Sequence, residues 1–232
     1  ISDNVCHNPG LGRQALKLHG YDVGDGPPTE HVIVSDNSFR GSTYVVAIAP
    51  ENAESNEPVQ DVVFERNLVT GDDDTVAGVY LNASDITIRN NIFDAGGVTT
   101  WFIAVAVTDD SGRAPRRNVV CNNTAYMGGW GNEFRFCTIG SIAENTRVRN
   151  NLASAPHVSD RQLIVGSGSG LVADHNLLTS VPGFVNAAAG DFRLGSGSLA
   201  IDAGVAVPQV FEDCRGHLRP QGATYDLGAY EY

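Results

Sequence analysis

Apolar and polar residues alternate with a period of two in short segments such as "HVIVSDNSF", "DVVFERNLV" and "DITIRNNIF", a strand pattern rather than a helical one. These segments share a phrase: an apolar residue, two polar or small residues, then Asn. It ends at Asn4, Asn37, Asn67, Asn91, Asn123 and Asn151, with a looser copy at Asn176, at spacings of 33, 30, 24, 32, 28 and 25 residues. Between the Asn phrases lies a second family of strand-like segments, including "ALKLHG", "YVVAIAP", "GVYLNAS", "FIAVAVTDD" and "EFRFCTIG", separated by turns rich in Gly, Asp and Asn. Intervals of this length, each holding at least two strands, predict the stacked rungs of a parallel β-helix, an all-β single-stranded β-solenoid. Stacked rungs put equivalent residues about 4.8 Å apart. The repeated Asn then forms an internal ladder, at a bend where its tolerance of left-handed backbone angles is useful.

The column two residues after each Asn, from Cys6 through Phe39, Val69, Phe93, Ala125 and Ala153 to Leu178, is apolar and should point inward. The column two residues before, Ser2, Ser35, Glu65, Arg89, Cys121 and Arg149, mixes charges and should face water.

Composition narrows the function classes. The formal charge is -12, and Lys17 is the one lysine among 15 basic residues. Nucleic acid is therefore an unfavourable partner, as is any polyanion approaching without a cation. No apolar run is long enough to span a membrane. Four scattered cysteines make neither a disulfide scaffold nor a zinc pair.

Residues 191–232, with "DFRLGSGSLAIDAG" followed by "DCRGHLRPQGATYDLGAYEY", differ from the repeat. This segment resembles the C-terminal closing segment of secreted bacterial right-handed parallel β-helix proteins of the polysaccharide-lyase-like superfamily. The resemblance rests on residues that include Asp191, Leu194, Ser198, Ile201, Asp202, Asp213, Arg219, Pro220, Asp226, Gly228 and Glu231. It implies a right-handed helix over residues 1–190, closed by a cap over 191–232, in a protein that is secreted or held at the cell surface. Its partner would be a polysaccharide or cell-surface glycan. Residues 1–4 offer no cap, so earlier rungs of the same chain are expected upstream of Ile1.

Among the outward positions expected from strand parity, Lys17, His19, Tyr80, Asn82, Glu133 and Arg135 are the best polar constellation. Eliminative cleavage of a uronate polymer needs a base, an acid and a group that neutralises the carboxylate. The lyases of the chondroitinase B and alginate lyase type use a Lys and an Arg with Ca²⁺. On that pattern Lys17, His19, Tyr80 and Arg135 are the candidate catalytic residues, with Asn82, Glu133 and Trp130 binding substrate and Trp101 and Tyr126 nearby in rung order. Hydrolysis would instead need two carboxylates. Asp72, Asp73, Asp74, Asp109 and Asp110 supply carboxylates on loops one rung apart, which could be catalytic, hold Ca²⁺ or keep a turn solvated. A non-catalytic surface or structural solenoid is the alternative to a lyase or glycoside hydrolase.

Overall fold

A computed structural model describes residues 1–8, 14–20, 28–41, 43–50, 59–109 and 112–232. The chain winds as a parallel β-helix with three sheets along its length. The first sheet stacks Val5–Asn8, Ser38–Gly41, Leu68–Thr70, Ile92–Asp94, Thr124–Tyr126, Leu152–Ser154 and Leu177–Leu178. The second stacks Leu16–Leu18, Thr43–Ile48, Thr75–Leu81, Trp101–Val107, Glu133–Ile139 and Asp160–Gly166. The third stacks Val32–Ser35, Gln60–Glu65, Ser84–Arg89, Val119–Cys121, Arg147–Arg149 and Val172–Asp174. Each turn thus has three strands rather than the minimum of two: the Asn phrase is a third-sheet strand, a two-residue bend, and a first-sheet strand.

At that bend the ladder is continuous. The side-chain amide of Asn4 donates to Asn37 Oδ1, and the same link runs through Asn67, Asn91, Asn123 and Asn151 to Asn176, at 2.8 to 3.1 Å. Each interior Oδ1 also accepts a backbone N–H from the preceding turn, and each amide donates to backbone carbonyls. Burying these amides costs little because they are satisfied. The left-handed backbone falls one residue earlier than expected, on Asp3, Asp36, Arg66, Asn90, Asn122, Asn150 and His175, with φ between 50° and 60°. The residue before the ladder makes the corner, leaving the ladder Asn free to point inward.

The apolar column stacks in register, Cys6 on Phe39, Phe39 on Val69, then Phe93, Ala125, Ala153 and Leu178. In the second sheet, period-two alternation breaks. Val45 and Val46, Ala104 and Val105, and Phe136 and Cys137 are adjacent pairs buried in one core. Two inward residues in succession bend the strand, so outward parity before the pair does not carry past it.

The column preceding the bend does not all face water. Ser35, Glu65 and Cys121 are buried. Cys121 packs with Val207 and Val210, and Arg89 donates to the Gln209 carbonyl. The C-terminal segment runs back along the outside of the bends. Asn150, Asn122 and Asn90 donate in turn to the carbonyls of Val205, Asp226 and Glu212. An internal ion pair, Arg219 to Glu231 at 2.5 Å with both side chains fully buried, ties this segment together. The antiparallel pair Phe184–Asn186 and Asp191–Leu194 lays Phe184 and Phe192 against Tyr126.

Candidate functional site

On the second sheet, the register sets outward side chains in columns. Trp101 pairs with Glu133 and Glu133 with Asp160; one step along, Ile103 pairs with Arg135 and Arg135 with Gln162. Glu133 and Asp160 therefore lie one strand spacing apart, about 4.8 Å. Both approach Arg135 Nη2, at 3.3 Å and 2.8 Å. Arg135 Nη1 donates to the carbonyls of Phe134 and Asp160, each at 3.0 Å. The Arg135 side chain is only 9% exposed, while that of Asp160 is 55% exposed. The guanidinium hydrogen bond holds the Asp160 carboxyl below the usual carboxylate range.

One aromatic group, Trp101, stands in this column and another, Trp130, on the loop that leads into it. Trp101 is 41% exposed and Trp130 77% exposed, and the Trp130 ring stacks on His157 with centroids 4.4 Å apart and planes at 19°. Trp130 and His157 each lie three residues before a strand of the column, on successive loops between the first and second sheets. The loops are fastened rung to rung. Asp73 Oδ1 accepts from the Thr99 backbone N–H and hydroxyl, and the Asn132 N–H donates to the Thr100 carbonyl at 2.6 Å. Gly129 fits between because a Cβ there would lie 2.0 Å from the Val98 carbonyl oxygen.

Of the residues expected from the sequence, Glu133, Arg135 and Trp130 come together here. Lys17 does not. It pairs with Ala47, Ala47 with Tyr80 and Tyr80 with Ala106. Four strand spacings separate the Lys17 strand from that of Arg135, about 19 Å in all. His19 is exposed beyond the Lys17 strand, its Nδ1 2.9 Å from the Gly20 carbonyl. Tyr80 faces outward but its ring is paired with Tyr44, centroids 4.5 Å apart. Asn82 is buried rather than outward, at the corner where its N–H donates to the Ile48 carbonyl.

The acidic loops separate as well. Residues 72–74 precede a second-sheet strand, whereas Asp109 follows one, so they lie on opposite edges of the sheet. Asp72 Oδ1 closes its own turn, accepting from the Asp74 N–H and the Thr75 hydroxyl, and Asp109 Oδ2 accepts from Ser141 and Ile142 of the next rung. Asp110 lies outside the described residues. Among the described residues no cluster of three His, Cys, Asp or Glu side chains could hold a metal ion. The described Asp72, Asp73, Asp74 and Asp109 therefore do not gather into one three-carboxylate group.

Asp160 and His157 escaped the sequence reading. Both follow from register: Asp160 is the rung-neighbour of Glu133, and "APHVSD" aligns with "GGWGNE" once the strands are paired. Tyr126 belongs to a different surface, half-buried under the Phe184 and Phe192 rings.

No protein-family model matches the chain, and no curated protein matches it either. Among solved structures it is similar to a crystal structure of pectate lyase Pel9A, with a TM-score of 0.29 and 13% identity, over 98% of this chain and 87% of that one.

Proposed function

We propose that this protein engages an extended polysaccharide along the edge of the second sheet, outside the cell or at its surface, as a binding surface rather than a catalyst. The observation that carries this reading is the exposed Trp130 ring, stacked on His157 and adjoining the column of Trp101, Glu133 and Asp160. Flat apolar rings beside a row of hydrogen-bond acceptors suit sugar rings, which present an apolar face and a rim of hydroxyl donors.

Lyase action on a uronate polymer is the second reading, and geometry weighs against its expected residues. Base and neutraliser must reach one sugar, and Lys17 and Arg135 are about 19 Å apart by strand count. Hydrolysis would use Glu133 and Asp160, neighbours on adjacent strands, as its pair of carboxylates. Yet an acid catalyst must hold its proton at working pH, and Arg135 favours the ionised form of Asp160.

The test is affinity electrophoresis on a panel of neutral, basic and acidic soluble glycans, with parallel monitoring of unsaturated product and reducing ends. Retention by at least one glycan that is lost in Trp130→Ala, without product release, is expected. Absence of retention on every glycan would favour a purely structural solenoid, and product release dependent on Lys17 would restore the lyase.

A further inference from the structure

The charge arrangement at this site selects the class of polysaccharide. Two carboxylates, Glu133 and Asp160, share one guanidinium, leaving that trio with one net negative charge, while the neighbouring Arg161 directs its Nη1 at the Ala155 and Val158 carbonyls. The positive member is the hidden one. Arg135 is 9% exposed, and its Nη1 and Nη2 are directed at Phe134, Asp160 and Glu133. An approaching ligand therefore meets the carboxylates, with Trp101 one strand from Glu133 and Trp130 exposed on the loop that leads into the Glu133 strand.

Resting on the binding role just proposed, we infer that the site takes a polymer of sugars bearing a free amine, in preference to its N-acylated counterpart and to polyuronates. A sugar ammonium supplies three donors to Glu133 and Asp160 and is attracted to the face of Trp101 or Trp130. Acylation removes the charge, and a uronate brings a carboxylate against two carboxylates. The overall charge of -12 acts in the same direction at longer range. A cationic peptide would satisfy the charges, but an indole stacked on an imidazole offers the broad flat face that suits a pyranose ring.

The experiment compares glucosamine oligomers, N-acetylglucosamine oligomers, oligogalacturonate and a lysine oligomer by calorimetry at low and moderate salt. The expected result is a preference of roughly tenfold for the free-amine oligomer over the acetylated one, shrinking with salt. In the double variant Glu133→Gln, Asp160→Asn, Arg135 keeps its two backbone acceptors and the preference should disappear or shift toward oligogalacturonate. A matching thermal midpoint shows that the variant is folded. Equal affinity for amine and acetylated oligomers, with Trp130→Ala still abolishing both, would overturn this inference and leave the binding role standing. Lysine oligomers binding as tightly as the amino sugar would also overturn it. No binding of any oligosaccharide would remove the binding role itself.

Discussion

Glu133 and Asp160 face each other across adjacent strands, and both carboxylates converge on the same nitrogen, Arg135 Nη2. Without that cation, two acids one strand apart would repel one another. Arg135→Gln should accordingly bring the Asp160 carboxyl up from its depressed position. The contribution of a lowered carboxylate to stability is present above its unfolded value of 3.8 and fades as pH falls through the lowered one. In the variant the folded and unfolded values draw together, so that acid-side loss should shrink, which carboxyl NMR titration and acid unfolding curves can follow together.

His157 supports one face of the Trp130 ring. His157→Ala is expected to weaken glycan retention by a factor of about 2 to 10, since an aromatic stack is worth roughly 0.5 to 1.5 kcal/mol. Trp130→Ala should abolish retention. Both positions are exposed, so the unfolding midpoint should scarcely move; a large drop would mean that the stack serves the fold.

Asn123 stands inside the ladder, accepting from Asn91 and donating to Asn151 Oδ1 and to the carbonyls of Ile88 and Cys121. Asn123→Ala orphans several buried groups at once and should cost about 3 kcal/mol or more. Asn4, which is exposed, should cost less than about 1 kcal/mol when replaced by Ala. Denaturant titration of the two variants reads the contrast directly.

Burial raises the Asp94 carboxyl above 3.8, partly opposed by the Gly96 N–H. A raised carboxylate favours folding while protonated and loses that advantage as pH climbs through the raised value. Asp94→Asn should therefore be stabilising at neutral pH and nearly without effect near pH 3. Thermal midpoints of the two proteins at both pH values test the sign.

The Cys121 thiol, covered by Val207 and Val210, is pushed up to about 12 by burial. It should resist alkylation at neutral pH in the native protein. Arg219→Ala strands Glu231 in the interior and should cost about 3 to 5 kcal/mol. If the outer segment lifts as a consequence, peptide mapping after alkylation will find Cys121 labelled. An unlabelled Cys121 would show that this segment is held independently of the ion pair.

The sequence alone determined the architecture. A period-two pattern punctuated by Asn at intervals near one rung admits few solutions other than stacked turns. A buried amide that must be satisfied fixes its neighbours above and below. The inward column from Cys6 to Leu178 followed from the same spacing. Even the adjacent Asn pairs at 90–91, 122–123 and 150–151 were visible, although their division of labour was not. The second residue of each pair builds the ladder, while the first turns the corner and holds the returning C-terminal segment. What only the tertiary structure decided was the outer surface. Paired inward residues such as Phe136 and Cys137 bend the strands and break the parity that assigned outward positions. Register alone brings Asp160 beside Glu133 and His157 under Trp130, residues 27 apart in the chain in each case. Local pattern reads which face is apolar, but which polar groups meet across rungs depends on loop lengths, and these are set by long-range pairing.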